Sequence, residues 1–280
     1  MALESIIFVL IAAFLHALWN AFVKASEDRL FILGMIATAH VIVGTVLAIL
    51  QPFPSIDSWY FIAASTIIHF GYYFLIYHSY RLGDLSDVYP IARGMAPVIV
   101  AVGAQIFTNE YLPPWAWGGI IITSIGIFTL SGSILKGSTP PIAILTAVLT
   151  GVLIGMYSLI DGMGVRVSGS ALSYIAWLFI GEIFVSVFVF TYLRKNLSAV
   201  STKTIKLGII GGFISAAAYG IVIYIKASEP LGLVSTFRET SVVFATLIGI
   251  LWLGERPWRL KIFASLIVTI GVVIMGVFAV

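Results

Sequence analysis

The sequence predicts an all-α integral membrane protein of ten transmembrane helices, built as two inverted five-helix repeats. Three observations carry that expectation: the composition, a series of long apolar runs, and the recurrence of the few charges inside those runs. Of 280 residues 60% are hydrophobic and 10% charged, whereas a water-soluble domain carries about 25% charge. One bilayer-crossing helix takes roughly 20 apolar residues, so the chain supplies about ten crossings and leaves no room for a soluble catalytic domain.

The first run, from Ile6 to about Phe22, reads as a retained span rather than a secretory signal. Its leading segment Met1 to Ser5 carries Glu4 and no Lys or Arg, and no small-x-small cleavage site follows the run. Further runs lie near 30–50, 59–80, 88–108, 114–133, 141–160, 171–193, 206–226, 233–253 and 258–279. Turn residues and charges separate them, as in Ser26-Glu27-Asp28-Arg29, Gln51-Pro52-Phe53-Pro54, Pro113-Pro114 and Glu229-Pro230. Helices are required, because a backbone N–H or C=O left unpaired in lipid costs several kcal/mol. The short alternating segments of a membrane β-barrel do not occur.

The halves repeat. Arg93 and Glu110 recur as Arg238 and Glu255, each 145 residues on (238 − 93 and 255 − 110), and Gly126 recurs as Gly271 at the same offset. Tyr72 and Tyr77 recur as Tyr219 and Tyr224 at an offset of 147. The predicted units are 1–136 and 137–280. Five is an odd number, so the second unit crosses the membrane upside down relative to the first, a build that places a substrate site between repeats near the midplane.

A charge at a helix centre costs about 2.5–3.5 kcal/mol, so Glu182, mid-way through its run, must face a cavity or a partner. Its expected role is proton coupling or service as counter-ion to an ammonium group, with a structural pairing to an internal Arg such as Arg238 as the other reading. Arg238 and Glu239 are adjacent, about 100° apart around a helix, and cannot simply neutralise each other. Arg93 lies between Pro90 and Pro97, where missing amide donors predict a kink or a late helix start. An Arg beside such a kink suits a carboxylate or phosphate group; the alternative is a residue that snorkels to headgroups. Asp161, beside Tyr157 at the end of the sixth span, and Lys24 at the end of the first, four residues after Asn20, are candidates for a vestibule. The third span carries His69, Tyr73 and Tyr77 at helical spacing, a strip of rings with polar tips that suits a pocket wall. Trp19, Trp177, Tyr219 and Tyr224 are candidates for the same wall.

The stretch Leu82-Gly83-Asp84-Leu85-Ser86-Asp87-Val88-Tyr89-Pro90-Ile91-Ala92-Arg93-Gly94-Met95-Ala96-Pro97, with Phe237-Arg238-Glu239-Thr240-Ser241-Val242 and the closing Gly254-Glu255, resembles the drug/metabolite transporter superfamily in its EamA-type ten-span branch. Leu15-His16-Ala17-Leu18-Trp19-Asn20 and Tyr157-Ser158-Leu159-Ile160-Asp161-Gly162 resemble other helices of that branch. The resemblance covers nearly the whole chain and implies a carrier of small metabolites, amino acids or drugs, working by alternating access in the inner (plasma) membrane of a bacterium, as a monomer or homodimer. Asn109 departs from the Gly that the pattern has before Glu110, and that the second copy keeps as Gly254.

Other classes leave no signature. Without cysteine there is no disulfide, iron–sulfur or thiolate zinc site. The four histidines show no metal-ligand spacing, and neither a Gly-rich phosphate loop nor a Gly-x-Ser-x-Gly elbow occurs, so no metal or other cofactor is expected. A net charge of +3 spread over short loops gives nucleic acid no footprint. The expected partners are a small-molecule substrate, membrane lipid and protons. The competing readings are a membrane-embedded lipid-modifying enzyme, which predicts His, Asp or Ser clustered at one interface, and a passive channel or scaffold, which needs no mid-membrane carboxylate. With the N-terminus inside, loop charges put only Arg166 and Lys226 in the cytoplasm; the positive-inside rule therefore favours external termini, whereas the resemblance implies cytoplasmic ones.

Overall fold

The computed structural model describes residues 1–82, 85–131, 140–194, 197, 200–254 and 258–279, without the side chains of 76, 77, 79–82, 85–89, 278 and 279. The described residues are helical, with no strand among them. In chain order the helices are α1 (Leu3–Ala25), α2 (Arg29–Leu50), α3 (Trp59–Leu82), α4 (Leu85–Phe107), α5 (Pro114–Phe128), α6 (Pro141–Val167), α7 (Ala171–Gly181), α8 (Ile183–Leu193), α9 (Thr202–Lys226), α10 (Leu231–Arg238), α11 (Ser241–Leu251) and α12 (Trp258–Ala279). Eight helical segments are long and apolar enough to cross a membrane, counting α7 with α8 and α10 with α11 as one each, and α5 is a shorter apolar helix. The chain is thus a multi-pass membrane protein by length and composition.

Local chemistry sets several boundaries. The Asp28 carboxylate accepts from the Phe31 amide at 2.9 Å and opens α2. Pro114 and Pro141 stand first in α5 and α6, where a missing amide costs nothing. α4 runs unbroken from Leu85 through Pro90 and Pro97, so the late start expected there does not occur. Two breaks have no proline to explain them. Between α7 and α8 the Glu182 amide turns back to the Phe179 carbonyl at 3.1 Å, and between α10 and α11 the Glu239 amide turns back to the Thr236 carbonyl at 2.9 Å. These tight turns each place a buried carboxylate at the point where the helix is interrupted.

Small residues bring the helices close. A Cβ on Gly271 of α12 would stand 2.7 Å from the Gly119 carbonyl of α5, and one on Gly119 would stand 2.7 Å from the Gly271 carbonyl. Gly151 of α6 lies against the backbone of Ala92 in α4, and Gly212 of α9 against Met35 and Ala39 in α2. In the wider pattern α1 packs on α9, α10 and α11, while α6 packs on α3 and α4; α2 packs on α7 and α8, and α5 on α12.

One end of the bundle is tied by polar contacts. The Glu110 carboxylate, after α4, pairs with Arg166 of α6 and accepts from the Leu231 amide at 2.9 Å, the first residue of α10. Arg166 also donates to the carbonyls of Lys226 and Glu229 at 3.0 and 2.8 Å, and Glu229 accepts from the Ala2 amide at 2.9 Å. On the same side the Ser55 amide, before α3, donates to the Ser168 carbonyl at 2.9 Å.

Candidate functional site

Inside the bundle the ionisable side chains fall into three linked groups. The first centres on Glu182. Its Oε1 lies 2.9 Å from His40 Nδ1 of α2, and the Tyr73 hydroxyl of α3 donates to its Oε2 at 3.3 Å. The other ring nitrogen, His40 Nε2, lies 3.2 Å from Ser215 Oγ of α9. The imidazole thus stands between the carboxylate at the α7–α8 break and a hydroxyl on α9, which can donate or accept. Four helical elements therefore meet at one carboxylate. The pairing of Glu182 with Arg238, one of the sequence readings, is not what the chain adopts.

The second group joins the halves. Arg93 Nη2 of α4 lies 3.0 Å from Glu239 Oε1, and Arg238 Nη2 lies 3.9 Å from the same oxygen. The side chains are 3%, 4% and 1% exposed, so neither arginine reaches out to headgroups. Two guanidinium groups share one carboxylate oxygen, which leaves one net positive charge in the interior.

The third group lies between them. Asp161 of α6 accepts from the hydroxyls of Tyr174, at 3.1 Å, and Tyr219. The rings of His69, Tyr157 and Tyr219 cluster with centroid separations of 4.2 to 6.0 Å, and Tyr72 adds an edge contact on Tyr157 at 5.7 Å. His69 Nδ1 donates to the Ser65 carbonyl at 2.9 Å, which leaves Nε2 for another partner. Tyr157 stands within electrostatic reach of Arg93, Arg238, Asp161 and Glu239, and so ties this group to the arginine pair.

The predicted residues divide accordingly. Glu182, Tyr73, His69, Tyr157, Asp161, Tyr219, Arg93, Arg238 and Glu239 come together in these groups. Trp19 stacks edge-on with His16 at 5.2 Å, and Asn20 donates to the His16 carbonyl at 2.7 Å; His16 is itself within reach of both arginines. Trp177 and Tyr224 are corrections. Trp177 stacks with Phe53 and Trp59 at 5.3 and 4.9 Å, beside the α2–α3 connection. Tyr224 is 54% exposed and continues the outward stripe of Ile210, Phe213 and Ala217 on α9, opposite Tyr219. The side chain of Tyr77 lies outside the described residues, as do Glu255 and the junction of the two predicted units.

Other residues were missed by the sequence reading. His40 and Ser215 complete the Glu182 group, and neither has a sequence neighbour that marks it. Lys226, read as a loop charge, is buried, and its Nζ donates to the Ser158 carbonyl at 2.8 Å and to the Ser158 hydroxyl. A lysine at a span end ordinarily snorkels; this one, at the last position of α9, is turned inward onto α6. No group of His, Asp or Glu suited to a metal occurs among the described residues.

No family model and no curated protein sequence matches the chain. A solved crystal structure of a protein superposes on it with a TM-score of 0.77, covering 100% of this chain and 98% of the other at 17% identity. At that identity the likeness establishes the fold alone.

Proposed function

We propose that the protein is a secondary active carrier of small organic solutes, working by alternating access and driven by protons, and that it is a ten-span member of the drug/metabolite transporter superfamily in a bacterial inner membrane. The observation that carries this reading is the set of buried charges contributed by both halves. Arg93 from one half and Glu239 from the other form an ion pair at 3.0 Å, in a region where inserting a charge costs about 2.5–3.5 kcal/mol. A scaffold needs no such charges, and an enzyme acting on lipid would gather its polar residues at one interface.

Two features of the fold support the ten-span inverted repeat. Exchanging the halves carries the α1–α9 contact onto the α6–α3 contact, and the contact of α4 with α6 onto that of α10 and α11 with α1. The bonds joining Ala2, Ser55, Glu110, Arg166 and Glu229 also put the starts or ends of α1, α2, α4, α6 and α9 on one side. That is the side reached after an even number of crossings, provided that α3 crosses, that α5 crosses despite its length and that α7 with α8 counts as one span. Asn109 and Gly254, equivalent under the 145-residue offset, both have left-handed backbone, with φ of 53° and 65°. Asn replaces Gly at a position that needs φ > 0, which Asn tolerates better than most residues.

The broken helices give the carrier reading its moving parts. Glu182 and Glu239 each interrupt a span, and backbone freed by an interruption is tolerated only inside protein. A proton held between Glu182 and His40, and the charge held at Arg93, Glu239 and Arg238, are then linked through Tyr157, Tyr219 and Asp161. Purified protein in proteoliposomes tests this: an imposed pH gradient should drive accumulation of a solute from a mixed metabolite pool, and an uncoupler should abolish it. Equal retention with protein-free vesicles across that pool would refute the carrier reading.

A further inference from the structure

Arg238 is a buried cation whose hydrogen-bonding capacity is only partly used. Lys226 is held by Ser158, and Arg93 lies 3.0 Å from Glu239. Arg238 is 4% exposed, yet its Nε has no acceptor, and its nearest carboxylate oxygen is 3.9 Å from Nη2, beyond hydrogen-bond range. A guanidinium offers five N–H donors in a planar fork that fits a carboxylate with two parallel bonds. Beside it, Glu239 Oε1 is taken up by Arg93, while Oε2 has no donor. One interruption of a span thus presents an unpartnered guanidinium Nε–H and an unpartnered carboxylate oxygen on adjacent residues.

Those two groups and their charge define a ligand, which we propose to be a small monocarboxylate with a hydroxyl next to its carboxyl group: Arg238 takes the carboxylate and Glu239 Oε2 accepts from the hydroxyl. This rests on the carrier reading for its setting and names the substrate class of that same site. Arg93, Arg238 and Lys226 against Glu239 and Asp161 leave one formal positive charge, which a monoanion neutralises. A phosphate monoester, with a charge of about −1.5 to −2 near neutral pH, would instead leave the site negative, and a zwitterion would leave it positive. The rings of Tyr157 and Tyr219, the first within electrostatic reach of both arginines and the second of Arg238, offer an aromatic surface for the body of the acid.

The experiment is a thermal-shift and equilibrium-binding series on the full chain in detergent at neutral pH. The probes are mandelate, phenylacetate, mandelamide, phenylglycine and phenyl phosphate, which vary carboxylate, hydroxyl and charge on one ring. Mandelate should bind best, phenylacetate several-fold more weakly for want of the hydroxyl, and mandelamide at least tenfold more weakly. Arg238→Gln should remove the preference for mandelate over mandelamide. Arg238→Lys, which keeps the charge and loses the fork, should keep part of it and covers the case in which the Gln variant does not fold. Binding of mandelamide as tight as that of mandelate, or an unchanged preference in either variant, overturns the assignment. Tightest binding of phenylglycine or phenyl phosphate overturns the charge argument and moves the site to a zwitterion or a dianion. Flux of the same probes into proteoliposomes separates the two levels: selective binding without flux keeps the carboxylate site and removes the carrier reading, whereas proton-driven flux of other solutes without mandelate binding does the reverse.

Discussion

Glu182 is the most informative single position, because the structure sets different costs for its neighbours. Its carboxylate has two partners, His40 at 2.9 Å and Tyr73 at 3.3 Å. Glu182→Gln keeps the volume and both contacts: the amide oxygen can face His40 and the amide nitrogen can donate to the Tyr73 oxygen. What is lost is the charge assistance, the difference between about 1.5–3 kcal/mol for a hydrogen bond to a charged group and about 0.5–1.5 for a neutral one. Because the cost of desolvating the carboxylate also disappears, the net loss of stability should be roughly 1–2 kcal/mol. His40→Ala leaves the carboxylate with one long bond, and an orphaned buried charge costs about 3–5 kcal/mol. Combining the two should recover part of that cost, because the double variant no longer holds an orphaned charge. The assays are chemical unfolding in detergent, accumulation under an imposed pH gradient, and solute counterflow without one. Glu182→Gln should fold, keep counterflow and lose gradient-driven accumulation. If it keeps accumulation, Glu182 does not carry the coupling proton. If His40→Ala is the milder of the two single variants in unfolding, the 2.9 Å contact is not what stabilises the carboxylate.

The other predictions concern packing, backbone and orientation. Gly271→Ala forces its methyl to within 2.7 Å of the Gly119 carbonyl and 2.8 Å of the Thr123 amide, backbone atoms that cannot rotate away; thermal unfolding should show a loss of about 1–3 kcal/mol, and an unchanged melting temperature would refute the close α5–α12 contact. Asn109→Gly should leave stability unchanged or slightly improved, whereas Asn109→Val should lose roughly 1–3 kcal/mol at φ 53°; equal stability of the two variants in the same unfolding assay would refute left-handed backbone there. A phosphatase fused after the last residue should be active and a fluorescent protein in its place dark, since both cations assigned by sequence to the side of the termini, Arg166 and Lys226, are engaged within the protein; the opposite pair of signals would put the termini in the cytoplasm.

The sequence analysis located most of the buried charges but not which residue each one pairs with, and the reason is physical. A carboxylate or guanidinium in the middle of an apolar run is conspicuous because lipid makes it expensive, so Glu182, Arg93, Arg238 and Glu239 stand out in one dimension. The partner of Glu182 is 142 residues away (182 − 40), and a single histidine in an apolar helix carries no mark of what faces it. Facing itself is hard to read in a membrane chain. In a soluble helix an apolar stripe points to the core, but here both faces are apolar, and Tyr219 and Tyr224 differ only in which side of α9 they occupy. The interruptions at Glu182 and Glu239 were equally invisible, since neither has a proline and each is made by a turn that tertiary contacts hold in place.

The position of those interruptions makes the two carboxylates comparable. Each is buried at a break between two short helices, and each is answered by a side chain from the other half of the sequence: Glu182 by His40, and Glu239 by Arg93. The breaks belong to the spans that an exchange of halves relates to α2 and α4, yet α2 and α4 are continuous. The proposed inverted repeat therefore does not extend to these breaks. The second half supplies spans interrupted at a carboxylate, and the first supplies uninterrupted ones that carry His40 and Arg93. A shift of α7 against α8, or of α10 against α11, moves a carboxylate relative to a fixed base and need not move the rest of the bundle. Protonation at one break and a bound carboxylate at the other would each change the charge that a base faces. With Asp161, Tyr157 and Tyr219 packed between the two, a change at either break alters the electrostatic and packing environment of the other.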